Sequence, residues 1–284
     1  MKQRFFFSII LLIFSVNAHS QISVDNSPRL SKQYFKSGFS DIKDIALAPL
    51  YMDKTQWITF WAIAGTGYFV YTQDLRVQQF SQLQRTPTSN GISQHVLEPL
   101  GSGLYSSTLI GLLYLHGTLA KNDRTKRVAL ISAKTLVISG PIILLSKAAF
   151  YRDRPYYSEN PDPGNWHGFA TGLKGSTNFK DFNYSTAFPS GHTTSAFAIA
   201  TIVAMEYKDK PIIPIIAYSL ATLTGLSRIH DNKHWGSDVF GGAVLGYALA
   251  RVIYSRNNAE FSISPYKTKN ETGFHLVLPI KAGS

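Results

Sequence analysis

Residues 189–205 read PSGHTTSAFAIATIVAM, and this stretch decides the fold. The polar tetrapeptide Pro189-Ser190-Gly191-His192 leads straight into an apolar run from Thr193 to Met205, too long for an ordinary strand. Ser190 is a natural helix cap, because its hydroxyl can accept from a backbone N–H of the first turn. Five further apolar stretches of helical length lie at about 57–72, 103–119, 128–150, 211–228 and 238–254. Polar segments separate them, such as residues 121–127 (KNDRTKR) and 206–210 (EYKDK). Only the tail changes period: Phe261/Ile263 and Phe274/Leu276/Leu278 alternate with other residues around 269–272, a hairpin pattern. The expected architecture is all-α, a bundle of about six helices with a short C-terminal β-hairpin-like tail.

The 284 residues suffice for one large core. With no cysteine, the chain has neither disulfides nor a thiolate metal site. A formal charge of +11 fits nucleic acid, anionic lipid or an anionic substrate, but no basic run with a nucleic-acid motif accompanies it. At the N-terminus, Lys2 and Arg4 precede the apolar run Phe5 to Val16, and Ala18-His19-Ser20 supplies small residues for a cut before Gln21. Losing residues 1–20 takes the charge from +11 to +9. The expected division is a signal peptide at 1–20, an extension at 21–55, a helical domain at 56–254 and a tail at 255–284.

Three segments carry chemistry. Lys147 and Arg154 are seven residues apart, two helical turns, so on a continuous helix they share a face, and Pro155 places Arg154 near its end. Arg grips two phosphate oxygens at once and Lys adds a point charge. The start of the 192–206 helix offers unpaired N–H groups and a positive dipole end to an anion. There Gly191 permits close approach, Ser190 adds a hydroxyl and His192 lies within reach of a leaving oxygen. Downstream, Arg228 precedes His234 and Asp238. The latter two are four apart, stacked if the segment is helical, so a carboxylate can fix the imidazole tautomer. His230 and Asp231 read as loop residues and His116 as a packed one. Each segment alone also fits an ordinary helix end.

Jointly they read Lys-x6-Arg-Pro, Pro-Ser-Gly-His and Ser-Arg-x5-His-x3-Asp. This resembles the signature of the type-2 phosphatidic acid phosphatase and vanadium haloperoxidase superfamily, over roughly residues 100–255. The resemblance implies an all-α bundle with the active site between helix ends. Lys147, Arg154 and Arg228 would hold phosphate, helped by Ser190 and Gly191. His234 would form a phosphohistidine, Asp238 would orient it and His192 would protonate the leaving group, with no metal and no cofactor.

All three segments meet at one end only if the third helix ends, the fourth starts, the fifth ends and the sixth starts there. Were that end periplasmic, the basic loops 121–127 and 206–210 would be cytoplasmic, as the positive-inside rule asks. The first helix would then begin in the cytoplasm, whereas a cleaved signal puts residue 21 outside. A mean hydropathy of −0.03 is low for six spans. A secreted bundle resting on a membrane surface removes the conflict, and so does an uncleaved N-terminus. The expected address is the cell envelope, exported and membrane-associated.

Between the first two motifs lie Tyr156, Tyr157, Trp166, Phe169, Phe179, Phe182 and Tyr184 with Lys174 and Lys180, either a rim for an amphiphile or packing of a long loop. A lipid phosphate or diphosphate is the expected substrate. A secreted acid phosphatase for soluble monoesters, a vanadate-dependent haloperoxidase and a non-enzymatic lipid-binding protein are the alternatives.

Overall fold

The computed structural model describes residues 30, 32–47, 50, 52–157, 159–168, 186–257, 262–267 and 272–277. The expected signal segment, the rim residues Phe169, Lys174, Phe179, Lys180, Phe182 and Tyr184, and the turn at 268–271 lie outside them. The chain divides into two compact units, one of which is residues 28–259.

In that unit the helices are α1 (Lys32–Leu47), α2 (Lys54–Thr72), α3 (Asp74–Leu83), α4 (Pro87–Ile92), α5 (Gly103–Leu119), α6 (Asp123–Phe150), α7 (Gly191–Glu206), α8 (Ile212–His230) and α9 (Gly236–Asn257). A π-helical turn, Ser93–Leu97, and a 3-10 turn, Pro99–Gly101, join α4 to α5. The six apolar stretches fall within α2 and α5 to α9. The count of about six is exceeded because α1, α3 and α4 are too polar or too short to show as apolar runs. In the other unit, β1 (Ser262–Lys267) and β2 (Thr272–Val277) pair antiparallel, Ser262 opposite Val277 and Lys267 opposite Thr272.

Helix α7 lies at the centre, packed on α6, α8 and α9. Val128, Ile131 and Ile138 of α6 meet Ala198 and Ile202 of α7 and Ala250, Ile253 and Tyr254 of α9 in one buried cluster. The α7–α9 seam is closer than side chains allow. A β-carbon on Gly242 would strike the Ser190 carbonyl, and one on Gly246 the Thr194 carbonyl. Glycine is needed there for backbone approach.

The end of the bundle opposite the candidate site is tied by charge. Arg127 pairs with Glu206 at 3.1 Å and Tyr254 donates to the same carboxylate at 2.9 Å. Arg124 bridges to Asp209 and to the Glu206 carbonyl. Helix α1 docks near α6 and α9 through Lys134, whose Nζ donates to Ser37 and Asn257, both at 2.7 Å, and pairs with Asp41 at 3.2 Å. Such a buried ion pair is tolerable because further hydrogen bonds satisfy the ammonium.

Helices α6 and α8 are long and apolar enough, by length and composition, to cross a membrane. Large apolar side chains stand exposed along α2 (Trp57, Ile58, Trp61), α5 (Leu104, Leu112) and α8 (Ile212, Ile215).

Candidate active site

Four helix ends meet at one end of the bundle, where α6 stops, α7 starts, α8 stops and α9 starts. The main chain joins two of them: the Ser190 N–H donates to the Asp238 carbonyl at 3.0 Å. Ser190 caps α7, and its oxygen accepts from the Thr193 hydroxyl at 2.9 Å, so the Ser190 proton stays available to donate.

Lys147 and Arg154 come together by a route other than one helix face. Helix α6 ends at Phe150, and Tyr151 turns into the left-handed region at φ 40°. Arg152 and Asp153 then form isolated bridges with Trp166 and Thr186. What unites the two cations is a carbonyl: Lys147 Nζ donates to Thr186 O at 2.7 Å and Arg154 Nε to the same oxygen at 3.2 Å.

Arg228 ends α8 almost fully buried. Its guanidinium meets Asp231 at 2.7 Å and Glu98 at 2.9 Å, with Nε donating to Ser227 Oγ at 3.2 Å. Glu98 also holds Lys233 at 3.1 Å and lies 3.9 Å from His192 Nε2. Burial works to raise the Glu98 pKa, but Arg228 and Lys233 together outweigh it and bring it down to about 2. His192 is brought down to about 4, by burial first and then by the Arg228 cation.

His234 is buried in the turn between α8 and α9, its backbone N–H donating to the Arg228 carbonyl at 3.2 Å. It precedes the helix that begins at Gly236, so helical stacking on Asp238 does not apply. Its Nδ1 stands 3.7 Å from Asp238 Oδ2, too far for a hydrogen bond, and has no other hydrogen-bond partner. Burial, then the charges of Arg154, Lys147, His192 and Arg228, push the ring's pKa well below that of an ordinary histidine. These residues from three helix ends therefore act on one imidazole, which itself precedes the fourth. Asp238 is fixed on both oxygens, Oδ2 accepting from the Trp235 N–H at 2.8 Å and Oδ1 from Arg152 at 2.5 Å. Burial raises its carboxyl to about 6 against the pull of Arg152.

The turn carrying His234 is buttressed by α3. Gln78 donates to Asn232 Oδ1 at 2.8 Å, and Asn232 holds a left-handed φ of 59°. His230 faces Asn90 at 3.1 Å and Ser89 at 3.3 Å. Sequence reasoning missed Glu98, Lys233, Arg152 and Asp74, and read Asp231 as a bystander although it binds Arg228. Trp166 packs with Tyr71, Phe150 and Phe188 beside an open cavity of about 590 Å³ lined mainly by aromatic and small residues. None of the phosphate-binding candidates lines that cavity. Among the described residues, no three His, Asp or Glu side chains group as metal ligands do.

A family model of the PAP2 superfamily matches residues 128–261. A lipid A 1-phosphatase of Porphyromonas gingivalis is 41% identical over 75 residues, 26% of this chain and 17% of that protein. A lipid A 4'-phosphatase of Helicobacter pylori is 30% identical over 170 residues, 56% of this chain and 75% of that protein. The crystal structure of a transmembrane PAP2-type phosphatidylglycerolphosphate phosphatase from Bacillus subtilis superposes with a TM-score of 0.47 at 19% identity, over 79% of this chain and 94% of that one. The chain spans 17–29% of the length of three of the curated relatives it matches. With the motif-bearing region matched by the family model and three quarters of the Helicobacter relative covered at 30% identity, the chain belongs to the PAP2 superfamily.

Proposed function

We propose that this protein is a metal-independent phosphatase that hydrolyses phosphate or diphosphate esters of envelope lipids through a phosphohistidine on His234. The observation that carries the reading is that the charges of Lys147, Arg154 and Arg228 all bear on the buried imidazole of His234, in the turn between α8 and α9. Guanidinium, ammonium and helix-start N–H groups hold the phosphate and stabilise the charge that develops on its oxygens. His234 Nε2 attacks phosphorus while Nδ1 faces Asp238. The bond to the leaving oxygen breaks as that oxygen takes the proton of His192. Water, giving its proton to His192, then attacks the phosphohistidine, releasing phosphate and restoring Nε2. Asp238 offsets the positive charge of the phosphorylated ring.

A lipid substrate is supported by relatives that are lipid A phosphatases by name. The exposed apolar side chains of α2, α5 and α8 support a site of action at an envelope membrane. The test is a quench of the protein with a short-chain lipid phosphate labelled on phosphorus. An acid-labile, base-stable label is expected, absent in His234→Ala, with nitrophenyl phosphate turned over more slowly than the lipid. Equal turnover of both esters would reassign the protein as a general acid phosphatase. Halide oxidation that depends on added vanadate would make it a haloperoxidase.

A further inference from the structure

Inside the Lys147–Arg154 interval, at a position the motif leaves open, stands a cation with a different task. Arg152 is fully buried, and each of its five N–H groups is spent. Nη1 donates to Asp238 Oδ1 at 2.5 Å and to Ser237 Oγ at 2.7 Å. Nη2 donates to Asp74 Oδ2 at 2.7 Å and to the Pro163 carbonyl at 3.0 Å, and Nε donates to that carbonyl at 3.2 Å. The rings of Trp166, Tyr71 and Trp235 lie 4.5, 5.3 and 5.4 Å from the guanidinium carbon. No donor remains for a substrate phosphate.

Asp74, the first residue of α3, closes the arrangement from behind. Its Oδ1 accepts the Ser237 N–H at 2.8 Å, and its Oδ2 accepts from Arg152 and from the Ser237 hydroxyl. It is as buried as Arg152. Two carboxylates thus flank one guanidinium, which together with the Trp235 N–H on Oδ2 turns the outward carboxylate, Asp238, towards His234. Asp74 lies outside the residues the family model matches, 128–261.

We propose that Asp74 and Arg152 are positioning residues for the Asp238–His234 pair, the carboxylate of Asp74 fixing the guanidinium that aims Asp238. This rests on the phosphohistidine reading above. Among the described residues, the charged and titratable groups facing Asp238 are Arg152, Asp74, His234 and, acting on it electrostatically, Lys147. Asp74→Asn removes the charge that holds Arg152, and Arg152→Lys keeps a cation but loses the planar fork.

The experiment measures kcat, KM and the rate of phosphohistidine formation per folded molecule, for wild type, Asp74→Asn, Arg152→Lys and His234→Ala in detergent. Folding is followed by the melting transition. The expected result is a kcat lowered about 10- to 100-fold in Asp74→Asn, by analogy with the loss of a partner that orients a metal-bound histidine. KM should hold near its wild-type value, and phosphohistidine formation should slow by the same factor as kcat. Arg152→Lys is expected to retain an intermediate rate. Wild-type kcat per folded molecule in both variants overturns the proposal, and loss of folding in both assigns the pair a structural role instead. If only one variant folds, its rate alone decides: a lowered kcat supports the positioning role and a wild-type kcat overturns it. A wild type without turnover refutes the phosphatase reading itself. A wild type that turns over beside a dead His234→Ala, with Asp74→Asn at full rate, refutes only the positioning role.

Discussion

Glu98 Oε1 lies 3.9 Å from His192 Nε2 and 2.9 Å from Arg228 Nη1, so a carboxylate occupies the ground of the proposed phosphate site. It neutralises a cation proposed to hold phosphate. Glu98→Gln is expected to tighten inhibition by inorganic phosphate about 5-fold, roughly 1 kcal/mol. Weaker inhibition would show that Glu98 serves chiefly to hold Arg228 in place.

The same carboxylate has an acid signature. Its folded pKa of about 2 lies below its ordinary 4.5, so its stabilising contribution is present above pH 4.5 and lost as pH falls through about 2. Thermal melts across that window are expected to fall more steeply for the wild type than for Glu98→Gln. Parallel slopes would contradict the pairing.

In the proposed mechanism His234 is neutral and His192 protonated when the substrate binds. With His234 held well below the ordinary histidine value and His192 near 4, kcat/KM is expected to fall as pH rises above about 4. A bound phosphate adds negative charge beside His192 and raises its pKa, so the falling limb of kcat should lie at higher pH than that of kcat/KM. Superimposed profiles of the two constants would exclude His192 as the titrating acid.

Much of the site was legible because its parts are local in sequence. Ser190, Gly191 and His192 are consecutive at a helix start, and Arg228, His234 and Asp238 span the end of α8, the turn after it and the start of α9. The unread residues are joined across long separations: Arg152 with Asp74 is 78 residues apart, and Ser237 with Asp74 is 163. A single acid in a polar connection, as Glu98 and Asp74 are, leaves no periodic trace. Seven-residue spacing was also a wrong guide to Lys147 and Arg154, since the helix stops at Phe150 and the Thr186 carbonyl gathers both. The apolar runs marked the long helices, but the polar faces of α1 and α3 concealed theirs.

Asp238→Asn leaves either the Trp235 N–H or Arg152 without its acceptor and removes the charge facing His234. Turnover is expected to fall on the order of 10²- to 10⁴-fold, with slowed phosphohistidine formation. An unchanged rate would leave Asp238 as a packing residue alone.

Gly246→Ala drives a methyl group into the Thr194 carbonyl, backbone against backbone, where no side chain can give way. The expected cost is about 1–3 kcal/mol, read as a lowered melting temperature. A neutral result would show that the helices slip apart freely.

That seam between α7 and α9 acts as a gauge for the chemistry. Glycine contacts and the Ser190 N–H to Asp238 carbonyl bond set the interval between the proposed acid and nucleophile in main chain. Side-chain drift alone therefore cannot alter that interval, and a change in the preferred phosphate ester has to come from segments beside it, such as residues 93–101.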